Sequence, residues 1–264
     1  MIKDNSGQPK EVTPGSFGLD CTLPEVRNWI GQLFAKVSKK WGYDYFKLDF
    51  LTYGVGGSHS NTEVTKGKAL RLALKTIRES VGEKKFINIT GPISVGLGLA
   101  DGSRLGYDVW PSWEGIVYWG MGIKPCVRAA AVNYYLNNRV YRNDPDCLVT
   151  SSPQLSLDQA RAWASLIALS GGMIFLSDDL TKLASERVKI ATKILPSYGK
   201  SARLLDLFER EYPGIWHLKV RKNFDSWDVL GLFNWDYTRS HMEVSFKELG
   251  LEPNEDYLEV SEFQ

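Results

Sequence analysis

The chain has 264 residues, of which 43% are hydrophobic and 24% are charged, and its formal net charge is +1. Such a composition is typical of a globular protein, and the near-zero charge gives no electrostatic reason to expect nucleic acid or an anionic membrane as a partner. The three cysteines are far apart, which argues against a disulfide framework and against a structural zinc site. No apolar run is long enough to span a bilayer and no secretory signal is recognisable, so we expect a cytoplasmic protein.

The first part of the chain predicts a helix, a strand and a second helix. The opening 18 residues read as irregular chain. TLPEVRNWIGQLFAKVSKKWG (22–42) predicts a helix, because its apolar residues recur at helical spacing and Thr22 and Glu25 fit a capping box. The strand YDYFKLDF (43–50) follows at once, and a basic helix is expected over about 65–80 after a loop rich in Gly and Ser.

The alternation of strands and helices continues to about residue 199. Strands are predicted at KKFINITGP (84–92), SRLGYDV (103–109), CLVT (147–150) and MIFLSDDL (173–180). Helices are predicted at SLDQARAWASLIALSGG (156–172), where Ser156 and Gln159 form a second capping box and Gly171 marks the end, and at ASERVKIATKILP (184–196). This rhythm predicts a parallel sheet with helices packed outside it.

A change of rhythm after about residue 200 predicts a second domain. GIWHLKVRK (214–222), WDVLGLFNW (227–235) and HMEVSFKEL (241–249) read as strands without intervening helices, which is typical of an antiparallel sheet. We therefore expect two domains, at 1–199 and 200–264.

Lys47 and Asp49 stand two positions apart near the end of the strand at 43–50, so both side chains are expected on one face. One interpretation is a structural ion pair, since a buried charge is costly unless it is paired or used. The other is a functional carboxylate, which the lysine keeps ionised while its ammonium group also holds substrate hydroxyls.

Arg104 and Asp108 stand four positions apart, and Trp110 and Trp113 follow. Taken alone, this segment also fits a salt bridge over a hydrophobic corner. Together with Asp49, the pattern indicates glycoside cleavage, in which one carboxylate attacks or activates and the other protonates the leaving oxygen. Tryptophan faces suit the apolar C–H face of a sugar ring.

Five quoted segments carry a family resemblance: WGYDYFKLDFL, LADGSRLGYDVWPSWEG, RNDPDCLVTS, LIALSGGMIFLSDDL and LLDLFEREYPGIWHLKVRKNFDSWDVLGLFNW. With the motifs KxD, RxxxD, NDPD and LSDD in that order, the chain from about residue 19 to 264 resembles glycoside hydrolase family 36, the α-galactosidase family of the melibiase clan. The resemblance implies an α/β fold: a partial (β/α)₈ TIM-type barrel, about strands 4 to 8, followed by a small antiparallel β domain that forms an incomplete sandwich.

The same resemblance implies a retaining α-galactosidase that cleaves terminal α-linked galactosides. Asp49 would form the covalent glycosyl intermediate, and Asp108 would act as general acid and then as general base. Lys47 and Arg104 would bind ring hydroxyls of a small carbohydrate substrate. The resemblance implies neither a metal nor an organic cofactor.

Three further residues are candidate substrate-binding groups. Asn88 and Thr90 end the strand that precedes the RxxxD motif, where the family has a turn near the 2-substituent of the sugar. Because this chain reads NITGP there, galactose and N-acetylgalactosamine both remain open as substrates. Asp178 of LSDD lies at the end of the last parallel strand and is expected to face the pocket.

Four other polar residues are given structural roles. Asp144 and Asp146 of NDPD are expected to hold a loop together, and Asp179 is expected to be a helix cap. His59 lies in the Gly- and Ser-rich loop and is expected at the surface.

The resemblance also implies that one side of the barrel is open, because family members have three barrel strands and a large β domain before the part that this chain matches. We expect a homo-oligomer or a partner chain to cover that side, since open strand edges tend to associate. The alternative function is a non-catalytic or split-gene subunit, or a sugar-binding remnant that needs a partner chain. An α-N-acetylgalactosaminidase and a raffinose-synthase-type transglycosidase are further alternatives.

Overall fold

The computed structural model describes residues 1–91, 93–116, 120–151 and 153–252. Its strands are β1 (Glu11–Thr13), β2 (Ser16–Phe17), β3 (Tyr45–Leu48), β4 (Phe86–Ile89), β5 (Gly102–Arg104), β6 (Arg142–Asp144), β7 (Cys147–Leu148), β8 (Phe175–Leu176), β9 (Arg203–Leu204), β10 (Ile215–Arg221) and β11 (Ser226–Leu232). Its α-helices are α1 (Pro24–Ala35), α2 (Lys66–Val81), α3 (Ile123–Val132), α4 (Leu157–Ser170), α5 (Ser185–Lys193) and α6 (Phe246–Leu249).

The parallel sheet places the predicted motifs along one edge. Strands β3, β4, β5 and β6 pair in that order, and β7 pairs with β8, all in parallel. Pro145 and Asp146 separate β6 from β7, and Asp146 has a left-handed φ of 82° that interrupts the extended chain. Parallel strands have their carboxyl-terminal ends on the same side of the sheet, so the KxD, RxxxD and NDPD segments lie side by side there. This arrangement confirms the predicted α/β region.

Helix α4 forms as its sequence predicts. The Ser156 side chain accepts the backbone N–H of Gln159, whose own side chain accepts the N–H of Ser156. The helix ends at Gly171, whose φ of 67° is the left-handed conformation that glycine adopts without steric cost. A Cβ at Gly171 would also clash with the backbone of Lys200, so the position requires glycine for space as well.

Helix α1 differs from the prediction at both ends. Its N-cap is Leu23, and the predicted capping box at Thr22 is wrong. The Thr22 oxygen accepts the backbone N–H of Asn61 at 3.3 Å, and its hydroxyl donates to the buried carboxylate of Asp20 at 2.6 Å. The α-helix ends at Ala35, and the segment Lys36–Lys40 continues as one turn of π-helix.

The core has two parts. In the larger part, the fully buried Trp163 of α4 and Trp216 of β10 join helices α3, α4 and α5 to the C-terminal sheet. In the smaller part, Leu74 of α2 packs with Ile87 and Ile89 of β4 under α1. Burial of such large apolar side chains contributes roughly 1.5–3 kcal/mol each. The larger core therefore fixes the C-terminal sheet against the helices that carry the parallel strands.

The C-terminal region forms an antiparallel sheet in the order β11–β10–β9, with Ile215 opposite Leu232 and Arg221 opposite Ser226. One prediction is wrong in this region, and another is wrong at the N-terminus. The segment 241–249 is not a strand, because its end forms α6 with a Ser245 capping box, and the expected irregular N-terminal segment contains the β1–β2 hairpin. Part of the C-terminal segment, 253–264, lies outside the described residues.

None of the helices within the described residues combines the length and apolar composition that a membrane-crossing segment needs. The cytoplasmic location that we expect from the sequence stays a prediction.

Candidate functional site

Asp49 comes immediately after β3, at the point where the chain leaves the sheet. Its Oδ1 accepts the backbone N–H of Phe50 at 2.7 Å and the hydroxyl of Thr90. Phe50 adopts a left-handed φ of 53°, which is unfavourable for a bulky residue and turns the chain sharply. The carboxylate of Asp49 is exposed, so the strained turn presents it at the edge of the sheet.

Lys47 does not pair with Asp49, contrary to the interpretation from their spacing. Its ammonium group lies 3.2 Å from Oδ2 of Asp144 and 5.2 Å from the ring centre of Phe175. The Lys47 side chain is 31% exposed. One of its N–H donors is therefore committed to Asp144, and an ammonium group has three donors in all.

Asp144 is fully buried and organises this end of the sheet. Its Oδ2 also accepts the side-chain N–H of Asn88 at 2.7 Å, and its Oδ1 accepts the backbone N–H of Asp146 at 2.9 Å. Asn88 in turn donates to the hydroxyl of Tyr45 at 2.9 Å. Burial is the main reason that the pKa of Tyr45 rises to about 12, so its phenol stays protonated.

The Asn88 side chain is buried, and its NH2 group donates to Asp144 and Tyr45. Its Oδ1 makes no hydrogen bond within the described residues, and its substrate-binding role stays a prediction. Thr90 lies nearer the edge and donates to Asp49, so its hydroxyl anchors that carboxylate.

Arg104 connects the second carboxylate to the NDPD segment. Its guanidinium group donates to Oδ1 of Asp108 at 3.0 and 3.1 Å and to Oδ2 of Asp146 at 2.6 Å. The side chains of Arg104 and Asp146 are 7% and 6% exposed, whereas that of Asp108 is 63% exposed. Asp146 also accepts the backbone N–H of Val109 at 2.6 Å, which fixes the chain just beyond Asp108.

The NDPD segment thus supplies a buried counter-ion to each cation of the site. Lys47 pairs with Asp144 and Arg104 pairs with Asp146, while the backbone N–H of Asp146 joins the two pairs. The expectation that these two aspartates are structural is confirmed by their contacts. Their specific partners were not predicted, although the KxD and RxxxD motifs each leave one cation that needs a carboxylate.

Asp49 and Asp108 differ from the buried aspartates of the site in being exposed to solvent. Each carboxylate is anchored through Oδ1, by Thr90 and Phe50 in one case and by Arg104 in the other. In neither case does Oδ2 make a hydrogen bond within the part of the chain that the structure describes. Two exposed carboxylate oxygens are therefore held in fixed positions and left available at one edge of the sheet.

The aromatic candidates divide into one exposed and one buried residue. Trp110 is 46% exposed next to Asp108 and is able to contact a ligand. Trp113 is only 7% exposed, packs on Trp235 with ring centres 5.6 Å apart, and donates its indole N–H to the carbonyl of that residue. Trp113 therefore packs the site loop against the segment that follows β11, and its sugar contact stays a prediction.

Asp178 is strongly engaged at the end of β8. It accepts the backbone N–H and the hydroxyl of Thr150 at 2.6 and 2.7 Å, and the hydroxyl of Ser151 at 2.5 Å. These contacts tie β8 to β7, and its substrate role stays a prediction. Asp179 is not a helix cap, because its carboxylate binds Lys182 and Thr181 in a turn, and these hydrogen bonds lower its pKa.

His59 is another correction. It is only 9% exposed and its Nε2 bonds to the carbonyl of Gly54 at 3.0 Å, so the ring stabilises the loop after β3 from inside. Within the described residues, no three His, Cys, Asp or Glu side chains are grouped to hold a metal ion.

Comparisons with known proteins show where this fold occurs. No family model matches the chain, and membership of family 36 stays a prediction. Among solved structures, the α-galactosidase TtGalA of Thermus thermophilus, in complex with stachyose, is 27% identical with a TM-score of 0.63, covering 74% of this chain and 44% of that one. A GH27 β-L-arabinopyranosidase of Geobacillus stearothermophilus is 16% identical with a TM-score of 0.62, covering 94% of this chain and 58% of that one.

A stretch of 96 residues is also 32% identical to a TATA box-binding protein-associated factor of RNA polymerase I from Xenopus tropicalis, covering 36% of this chain and 15% of that protein. The chain thus spans about half the length of the two glycosidases and a small part of the transcription factor. It has the fold of glycosidases over most of its described residues.

Proposed function

We propose that the chain acts as a retaining glycoside hydrolase on terminal α-galactosides, with Asp49 as nucleophile and Asp108 as acid and base. The observation that carries this proposal is the pair of exposed carboxylates, each anchored through Oδ1 and each with Oδ2 unoccupied within the described residues. Two carboxyl groups of different role are what a retaining glycosidase needs. The likeness to an α-galactosidase solved with stachyose supports the choice of substrate.

The first step of the proposed reaction forms a bond between Oδ2 of Asp49 and the anomeric carbon of the sugar. The bond from that carbon to the leaving oxygen breaks, and Asp108 gives its proton to that oxygen. In the second step Asp108 takes a proton from water, whose oxygen attacks the anomeric carbon and displaces Asp49. Two inversions restore the original configuration, and both carboxyl groups return to their starting states.

The remaining site residues would position these groups. Thr90 and the Phe50 amide hold the nucleophile, and Arg104 holds the acid and base. Lys47, with one donor on Asp144, has others to offer a ring hydroxyl. Trp110 has the exposure to stack on the apolar face of the sugar.

The proposal is tested by hydrolysis of an aryl α-galactoside by the unmodified chain and by Asp49→Ala and Asp108→Ala. We expect each variant to lose at least about 10³-fold in kcat/KM. Asp158→Asn, which alters an aspartate that is 89% exposed on α4, serves as the control and should retain full activity. Activity that persists in both site variants would contradict the assignment of the site.

Azide separates the two roles. In Asp49→Ala, azide would take the place of the missing nucleophile and attack the anomeric carbon once, giving β-galactosyl azide. In Asp108→Ala, the glycosyl intermediate still forms on an activated aryl substrate, and azide would displace it to give α-galactosyl azide. The same anomer from both variants would refute the proposed division of roles.

The unpaired edge of the sheet supports a proposed self-association. Strand β3 has a neighbour on one side only among the described strands. Trp41 and Tyr43, just before the strand, and Tyr45 within it are 38–57% exposed. An exposed edge with aromatic residues favours pairing with another surface. We propose that a second copy of the chain covers this edge of the partial barrel.

Mass measurement in solution at micromolar concentration would show a dimer, and Trp41→Glu would shift it to the monomer. A monomer across the whole concentration range would contradict the association. If the unmodified chain shows no hydrolysis in any assembly state, the alternative of a non-catalytic, partner-dependent subunit replaces the enzymatic proposal.

A further inference from the structure

The C-terminal sheet carries a cleft of about 500 Å³ on its polar face. It lies on β9, β10 and α6, whereas Asp49 and Asp108 follow strands of the parallel sheet. Its lining includes Lys200, Arg203, His217, Lys219, Lys247 and Glu248. A cleft of this size is suited to a small ligand.

The lining of the cleft is strongly cationic. Lys200, Arg203, Lys219 and Lys247 contribute four positive charges, in a chain whose net charge is only +1. The one lining carboxylate, Glu248, is turned to the start of α6, where it accepts the backbone N–H and the hydroxyl of Ser245 at 2.8 and 2.6 Å. The cations therefore face the cleft without a carboxylate directed at them from its lining.

Two of these cations, Lys200 and Lys247, make no contact within the described residues that would stabilise the fold through their charge. Lys200 and Lys247 make no ion pair and no side-chain hydrogen bond within residues 1–91, 93–116, 120–151 and 153–252. Four like charges around one cleft repel each other, and an anion relieves that repulsion. The two lysines thus supply charge to the cleft without stabilising the fold through a contact.

The other two cations are held in position by the backbone. Arg203 donates from Nη2 to the carbonyl of Glu248 at 2.5 Å, and the ammonium group of Lys219 lies 3.5 Å from the carbonyl of Gly250. The remaining N–H groups of Arg203 form the planar fork that binds phosphate oxygens well.

Asp228, a carboxylate beside the cleft, is already bound by basic side chains. His217 is only 3% exposed, and its Nε2 lies 2.5 Å from Oδ1 of Asp228. Arg221 approaches the other oxygen of Asp228 at 3.6 Å, and Lys219 lies 4.0 Å away. Asp228 therefore offsets part of the charge on the Lys219 side, and within the part of the chain that the structure describes it makes no ion pair with Lys200, Arg203 or Lys247.

We propose that this cleft binds a phosphate dianion, either free or as the ester group of a small metabolite such as a sugar phosphate. Four cations, a guanidinium fork and a volume of about 500 Å³ match a compact, doubly charged ligand. The proposal is independent of glycoside hydrolysis, because none of these residues belongs to the proposed catalytic site.

The test is isothermal titration calorimetry of the full chain with inorganic phosphate and with glucose 6-phosphate, at constant ionic strength set by sodium chloride. We expect saturable binding of one ligand per chain. The double variant Lys200→Gln/Lys247→Gln should weaken it about 10- to 100-fold in Kd, as expected for the loss of charged hydrogen-bond donors.

The control is Lys39→Gln/Lys84→Gln, which removes the same charge from exposed positions elsewhere and should leave Kd unchanged. Tighter binding of the ester than of inorganic phosphate would identify a metabolite ester as the ligand, and equal binding would identify free phosphate. The absence of saturable binding, or an equal loss in both double variants, would overturn the proposal, and neither result would bear on hydrolysis.

Discussion

Replacement of Asp146 by asparagine tests the buried ion pair on which the site is built. The change removes one charge with almost no change of shape, and asparagine tolerates the left-handed φ of 82° at this position. Arg104, whose side chain is 7% exposed, loses the negative charge of the carboxylate that lies 2.6 Å away and is 6% exposed. Removing one partner of a buried pair costs roughly 3–5 kcal/mol.

The expected loss for Asp146→Asn is somewhat smaller, because Arg104 keeps the exposed carboxylate of Asp108 as a second acceptor. We therefore expect the free energy of unfolding to fall by about 2–4 kcal/mol. With a slope of about 1–3 kcal/mol per molar urea, the midpoint of unfolding should move by roughly 1–2 M.

Urea unfolding followed by circular dichroism measures this difference. The matched control is Asp158→Asn, which breaks a surface pair with Arg161 whose aspartate side chain is 89% exposed. Such a pair contributes at most about 1 kcal/mol. If Asp146→Asn costs no more than the control, the Arg104–Asp146 pair is not the buried anchor that its geometry indicates.

Three further predictions concern other parts of the fold. Ser156→Ala removes the reciprocal cap with Gln159 and should lower the free energy of unfolding by about 1 kcal/mol in the same assay. Burial alone would raise the pKa of Asp20, but its hydrogen bonds, led by that from the Thr22 hydroxyl, lower the pKa to about 2. The ionised carboxylate therefore adds about 2 kcal/mol to the free energy of unfolding above pH 4, and this contribution is lost as the pH falls through 2. Asp20→Asn should therefore be less stable than the unmodified chain at pH 6, and most of this difference should be lost as the pH falls to 2. A difference that stays constant with pH would refute the assignment. Burial raises the pKa of the Cys126 thiol to about 12, so a disulfide reagent at pH 8 should label it only after unfolding in urea, and rapid labelling of the folded chain would contradict its burial.

Local signals in the sequence predicted much of the fold. The capping residues Ser156 and Gln159 and the terminal Gly171 define α4 within a few residues, so that helix was predicted correctly. The similar signal at Thr22 failed, because its oxygen accepts the backbone N–H of Asn61, 39 residues away, and its hydroxyl donates to Asp20. The alternation of strands with helices was likewise enough to predict the parallel sheet.

The site was predicted less completely, because its contacts connect distant parts of the chain. Spacing placed Lys47 near Asp49, but the partner of its charge is Asp144, whose position depends on the order of the strands. The sequence also could not predict which of Trp110 and Trp113 is exposed. Both are tryptophans of one segment, and the contact with Trp235 near the C-terminal sheet buries Trp113.

The sequence separation within the site has a kinetic consequence. Lys47 and Asp144 are 97 residues apart, and Arg104 and Asp146 are 42 apart, so each pair closes a long loop. Loop closure over such distances is entropically costly, and contacts of this kind form late in folding. Helices α2 and α4, which depend on local caps, are expected to be populated before the carboxylates of the site are brought into position. A partly folded chain would therefore have near-native helix content but would lack the assembled carboxylate site.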